Sequence, residues 1–290
     1  MKYWLDGKIV NEQKAKIPLL THSLHYGSAV FEGIRFYKTD NGSAVFRLRD
    51  HLKRLFYSAE VMGMKLPFSI KKTEEAVLET IRVNRFQEGY IRPLIYFGNK
   101  MGLDPQGADV HLVIAAWPWG KYLNDKVRVK ISSFIRIHHD STDVRAKISG
   151  HYVNSILATS QARRVGFDEA LLLDVNKKVA EGAGENIFFV KNNNIITPKS
   201  GSILPGLTRD TVMILVKEMG YKVIEKSITP SDLKNFDEAF FTGTAAEVTM
   251  IKSIDKHIFK QFTVSEQIKE KYDLVVRGQD KKYKKWLTKI

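Results

Sequence analysis

Glu181-Gly182-Ala183-Gly184-Glu185-Asn186-Ile187-Phe188-Phe189-Val190 is the stretch on which the fold turns. Its glycines open like a dinucleotide-binding loop, which must lead into a helix whose free N–H groups face the phosphates. Here the third glycine is missing, and the β-branched and aromatic run Ile187–Val190 reads as a strand. The doubly wound dinucleotide fold is therefore excluded. Lys191-Asn192-Asn193-Asn194 forms a turn, and Ile195–Thr197 is a second strand beyond it.

Working outward, Ala170–Asp174 reads as a strand and Val127–Ile137 as a longer alternating one. Between them Tyr152–Val165 has helical spacing, with Val153, Ile156, Leu157 and Ser160 on one face. Downstream, Thr208–Met219 is a helix with Val212, Leu215, Val216 and Met219 inward and Gly220 as its stop. Upstream, Tyr90–Tyr96 and Val110–Trp117 read as buried strands, and Leu52, Leu55, Ala59 and Met62 make a helix of Asp50–Met62. Thr73, followed by Glu74 and Glu75, reads as a helix start. Trp4–Val10 reads as a hairpin around Asp6-Gly7. The class is α+β (mixed α/β), with a small N-terminal α/β domain (1–118), a connector (119–126) and a larger strand-rich domain (127–290).

The 290 residues are 43% hydrophobic and 27% charged, as expected of a globular protein with a core of its own. Cysteine is absent, which removes thiolate nucleophiles, disulfides and most zinc sites. No apolar run approaches a membrane span or a signal peptide, so a cytoplasmic protein is expected. The net charge of +14 is spread along the chain and gathers only at Lys281-Lys282-Tyr283-Lys284-Lys285, without an RNA-binding aromatic motif. That pattern fits a solvated basic surface, and neither a nucleic-acid nor a membrane partner is expected.

Phosphate-loop, H-E-x-x-H and G-x-S-x-G motifs are absent. His22, His25 and the pair His138-His139 lack a cysteine or acidic cluster to complete a metal site, so no metal is expected. Two segments are suited to anions. Pro205-Gly206-Leu207-Thr208-Arg209-Asp210 opens a helix where N–H groups and a hydroxyl point outward. An ordinary helix cap is the competing reading. Phe241-Thr242-Gly243-Thr244-Ala245-Ala246-Glu247 ends a strand in a turn with small side chains and exposed N–H groups. Lys147 stands out among 46 basic residues only through its polar surroundings in the sequence: Tyr152, Glu181 and Glu185.

His25-Tyr26-Gly27-Ser28-Ala29-Val30-Phe31-Glu32-Gly33-Ile34-Arg35 resembles the N-terminal signature of the branched-chain amino acid aminotransferases, fold-type IV enzymes of pyridoxal 5′-phosphate. So do Tyr90-Ile91-Arg92-Pro93, Trp119-Gly120, Lys147–Tyr152, Glu181–Asn186, Pro205–Asp210 and Gly243–Glu247, in the family's order from about Trp4 to about Ser253. The resemblance implies a small α/β domain, a larger strand-rich pseudo-barrel domain, and transfer of an amino group between leucine, isoleucine or valine and 2-oxoglutarate. It implies Lys147 as the Schiff-base lysine and proton shuttle, Glu181 at the pyridine nitrogen and Tyr152 at the phenolic oxygen. Arg54, Leu207, Thr208 and Thr244 would hold the phosphate. On the substrate side it implies Tyr26, Phe31, Gly33, Tyr90 and Trp119 around the side chain, Arg92 with Tyr26 on the distal carboxylate of glutamate, and Ala245 and Ala246 at the α-carboxylate.

One departure is His151, where asparagine is usual for the family. D-amino-acid aminotransferases and aminodeoxychorismate lyases share the fold and are the nearest rivals; a basic nucleic-acid-binding protein is the rival of another class. The family resemblance further implies a homodimer or a hexamer built from dimers.

Overall fold

Asp6 and Gly7 both take positive φ (45° and 95°), the backbone of a tight hairpin turn that matches strand twist. It joins Lys2–Leu5 (β1) to Lys8–Asn11 (β2). The computed structural model describes residues 1–290 and divides into two units. The first is Met1–Gly120 with Ala146–His151 and Val275–Ile290; the second is Lys121–Arg145 with Tyr152–Leu274.

In the first unit a five-residue helix, His22–Tyr26 (α1), is followed by strands Ala29–Phe31 (β3), Ile34–Thr39 (β4) and Gly42–Phe46 (β5). Helices Leu48–Val61 (α2) and Ile70–Asn84 (α3) come next, then strands Gly89–Phe97 (β6) and Val110–Trp117 (β7). Both β3 and β4 pair with β6, at Leu94–Tyr96 and Gly89–Ile91 respectively. Glu32 and Gly33 lie in the gap between them, opposite Pro93, which has no N–H to give the ladder; Glu32 N donates to the Pro93 carbonyl at 3.0 Å. Leu52, Leu55 and Ala59 of α2 pack with Val30, Ile34, Ile91 and Ile95 in one core. Each fully buried leucine there contributes about 1.5–3 kcal/mol. The start of α3 differs from the sequence expectation: Ser69 caps it, accepting from Lys72 N at 3.2 Å. Thr73 instead sits one turn inside, buried, with its hydroxyl donating to the Ser69 carbonyl.

The second unit holds Lys126–Ile131 (β8), Tyr152–Arg164 (α4), Glu169–Leu173 (β9), Val179–Gly182 (β10), Asn186–Lys191 (β11) and Asn194–Pro198 (β12). These are followed by Leu207–Glu218 (α5), Lys222–Lys226 (β13), Glu238–Gly243 (β14), Glu247–Ile254 (β15), His257–Ile258 (β16) and Thr263–Val276 (α6), whose last two residues are assigned to the first unit. The sheet order is β10-β9-β8-β15-β14-β11-β12-β13, with β16 on β15. The strand expected over Val127–Ile137 ends at Ile131 because Ser132 and Ser133 turn to Gln161 of α4, at 2.9 and 3.0 Å. The apolar face expected of α4 is its outer one: Val153, Ile156 and Leu157 are 58%, 62% and 46% exposed. Ala158 and Ala162 face Ala170 and Leu172 of β9 instead, since only small side chains let helix and sheet approach closely. The final strand, Leu287–Lys289 (β17), pairs with β5 and completes the first unit's sheet, order β17-β5-β4-β6-β7-β1-β2.

Candidate active site

In the first unit the segment Ala146–His151 lies along β3. Phe31 N donates to the Lys147 carbonyl at 3.1 Å, and Val30 bridges Ile148. Extended backbone alternates its side chains, so Ala146 and Ile148 enter the core while Lys147 points the other way, its Nζ 4.9 Å from the centre of the Phe31 ring. Gly27 and Gly150 make this approach feasible: a Cβ on Gly27 would come 2.9 Å from the Gly150 Cα.

The Phe31 ring also carries Arg92, whose guanidinium carbon is 4.5 Å from its centre and 5.6 Å from that of Tyr90. Arg92 Nε is buried without a hydrogen-bond partner. Tyr90 packs on Trp119 at 4.7 Å and on Trp117 at 5.4 Å. Its hydroxyl lies where a Cβ on residue 33 would be, 1.8 Å away, so Gly33 is the space the tyrosine occupies. Phe31, Gly33, Tyr90, Arg92, Trp119 and Lys147 are thus brought together. Tyr26 is not: its ring packs on His22 and His25, and its hydroxyl accepts from Gly102 N at 3.3 Å.

Arg54 is largely enclosed, its side chain 11% exposed, and paired, rather than a solvated arginine. Its Nε and Nη2 donate to the two oxygens of Glu32 at 2.6 and 3.0 Å, and His51 Nδ1 donates at 2.7 Å. Burial alone would push the fully enclosed Glu32 carboxyl up, but the Arg54 charge and then the His51 ring hold it far below the ordinary carboxylate range. Burial lowers His51, against the pull of the Glu32 carboxylate.

In the second unit Glu181 follows a bulge: β10 shifts register on β9 between Val179 and Glu181, which re-aims the side chain. Its carboxylate accepts from Arg136 Nε at 2.5 Å, Asn186 Nδ2 at 3.1 Å and Leu204 N at 3.1 Å. Asn186 leaves no room beside it, since a Cβ on Gly206 would come 2.0 Å from its Oδ1. Gly206 starts α5 without a side-chain cap, ahead of Leu207 and the buried Thr208. Thr244, Ala245 and Ala246 form the turn between β14 and β15. Tyr152 is the first residue of α4. Arg136 went unread in the sequence, where a lone arginine in an irregular stretch gives no signal. Ser58 did have one, as a polar residue on the core-facing side of α2.

Beside His138-His139 a single carboxylate, Asp140, stands 3.6 Å from His138 and 3.5 Å from His139, on an exposed stretch. His138 Nδ1 already accepts Asp140 N–H at 3.2 Å.

The profile of the family described as "Amino-transferase class IV" matches residues 29–254. The chain is 43% identical over 296 residues to the branched-chain-amino-acid aminotransferase of Pseudomonas aeruginosa, covering 99% of this chain and 96% of that protein. Against the Escherichia coli (strain K12) enzyme of the same name the identity is 42% over 260 residues, covering 87% and 84%. Among solved structures, the branched-chain aminotransferase of Thermoproteus uzoniensis with norvaline superposes with a TM-score of 0.97 at 44% identity, covering 99% and 98%. The branched-chain amino acid aminotransferase of Thermobaculum terrenum, in its PLP-bound holo-form, superposes at 0.94 with 35% identity, covering 99% and 97%.

Proposed function

The chain belongs to the amino-transferase class IV family, and from that membership we propose that it exchanges the amino group between leucine, isoleucine or valine and 2-oxoglutarate with pyridoxal 5′-phosphate as cofactor. The cofactor needs an amine for its aldehyde, an anion at its ring nitrogen, and cations or helix N–H groups at its phosphate. This chain has each: Lys147 beside an aromatic ring, the buried Glu181, and Arg54 with the uncapped start of α5. When bound, the cofactor supplies the aldehyde that captures amino groups and a ring that accepts the electron pair left on Cα.

In this reading Lys147 Nζ holds the cofactor and then moves the proton off the substrate Cα. Glu181 keeps a proton on the ring nitrogen, and Tyr152 donates to the phenolic oxygen. Arg54, the N–H groups of Leu207 and Thr208, and Thr244 hold the phosphate. The N–H groups of Ala245 and Ala246 take the substrate's α-carboxylate. The observation that carries the substrate class is Arg92. Its guanidinium lies over two aromatic faces with Nε unpartnered. A branched apolar chain finds the rings of Phe31, Tyr90 and Trp119, while the distal carboxylate of 2-oxoglutarate finds the cation.

The test is the visible spectrum of the protein with pyridoxal phosphate. A yellow band bleached by L-leucine and not by D-alanine is expected. Bleaching by D-alanine alone would move the substrate class to D-amino acids, and a protein that stays colourless would overturn the cofactor.

The same reading includes a homodimer. Leu19, Leu20, Leu24, Met101 and Leu103 of the first unit are 82%, 53%, 59%, 47% and 86% exposed, and the second unit has the outward apolar face of α4. Apolar clusters of this kind are covered in a stable protein, here by a second copy. Tyr26, 40% exposed and outside the within-chain group, would serve the neighbouring copy in this reading. No helix is long and apolar enough to cross a membrane.

A further inference from the structure

Ser58 lies on α2 between Leu55 and Ala59, fully buried, where the core stripe calls for an apolar side chain. A serine in a helix commonly donates its hydroxyl back to the carbonyl four residues earlier, and Ser58 Oγ does so to Arg54 O at 2.8 Å. With its only proton committed, the oxygen can still accept. It accepts from Lys147 N at 2.9 Å, across 89 positions of sequence.

The peptide of Lys147 is thus held from two directions, its carbonyl by Phe31 N of β3 and its N–H by Ser58 of α2. These contacts close a circuit. Phe31 precedes Glu32, Glu32 grips Arg54, Arg54 sits one helical turn before Ser58, and Ser58 holds Lys147, which returns to Phe31. Every member belongs to the first unit. We propose that Ser58 is a positioning residue for Lys147, and that α2 acts as a spacer fixing the reactive amine at a set distance from the phosphate-binding Arg54. The proposal rests on the roles given above to Lys147 and Arg54.

The test compares two ligands on the apo protein. Pyridoxal 5′-phosphate binds through phosphate, ring and amine; pyridoxine 5′-phosphate has the same phosphate and ring but no aldehyde for the lysine. Ser58→Ala removes the acceptor and leaves a buried N–H without a partner. It is expected to weaken pyridoxal phosphate about tenfold while leaving pyridoxine phosphate within about twofold, and to move the pH midpoint of the yellow band. Ser58→Thr, which keeps the oxygen, restores the parental ratio. Equal loss for both ligands, accompanied by a lower Tm, makes Ser58 merely structural and overturns the proposal, as does no change in either. Lys147→Ala, treated with borohydride in parallel, separates the failures. Label that persists on this variant places the amine elsewhere and overturns the reading of Lys147 itself. Label lost there, with unchanged ligand ratios in Ser58→Ala, overturns only the spacer.

Discussion

Glu32 has no exposed surface, and both its oxygens are taken by Arg54 and His51. Its folded carboxyl titrates far below the unfolded one. The stability it contributes is therefore fully present above the unfolded value, about pH 4, and is lost as pH falls towards the folded one. Glu32→Gln leaves a buried arginine charge uncompensated and is expected to cost about 3 kcal/mol; in urea titrations between pH 3 and 7 the variant should also lose part of the acid slope seen in the parent. Arg92→Leu makes a different prediction, because the guanidinium is assigned to one substrate and the rings to both. Half-reactions followed by absorbance should keep leucine within a few-fold and lose 2-oxoglutarate by about a hundredfold or more; equal loss for both would show that Arg92 serves the common α-carboxylate. At this scale the sequence points to chemistry where a residue stands inside a motif, as the family resemblance does for Lys147 and Arg92, whose roles are those proposed above. It was silent on Arg136 and on the partner of Arg54, because those pairings join segments 45 and 22 residues apart and depend on the fold that brings them together.

Elements built on local periodicity were legible: the β1–β2 turn, α2 and α5 lie within one or two residues of where spacing put them. The helix α4 and its apolar face were legible too, but an apolar stripe in sequence does not reveal whether it faces this chain's core or another surface, and here it faces outward. Likewise the backbone leaves the β8 ladder at Ser133, whose N–H turns to the Gln161 side chain, a partner that period alone does not show. Where β9 packs under α4, Glu169 is buried at the strand's first position, with one oxygen held by Thr159 Oγ1 and Ala170 N and the other without a partner. Burial raises its carboxyl above the usual range against those two donors. The sign is opposite to Glu32: stability is greatest below the unfolded value and is lost as pH rises through the folded one. Glu169→Gln should therefore raise Tm at pH 8 relative to the parent and change it little at pH 4; a lower Tm at pH 8 would show that the charged form is stabilised. On the loop between β3 and β4, Gly33→Ala sets a methyl on the Tyr90 hydroxyl. Leucine turnover should fall about tenfold or more with the fold intact by circular dichroism.

Taken whole, the molecule exposes apolar clusters on each of its two units, on a chain of net charge +14. Ile156→Glu and Leu103→Glu, placed one in each unit, should shift the mass from dimer towards monomer in light scattering; an unchanged mass from both would leave those clusters uncovered and the dimer unsupported. The division itself has a temporal meaning. The first unit needs Ala146–His151 to carry Lys147 along β3, and Leu287–Lys289 to pair with β5. A ribosome that has delivered the first 120 residues has therefore made most of that unit's sheet with neither Lys147 nor β17. Closure between β5 and β17 spans about 240 residues, a long loop that synthesis must deliver before the pairing can form. Until β17 has been made, the β5 edge stays open.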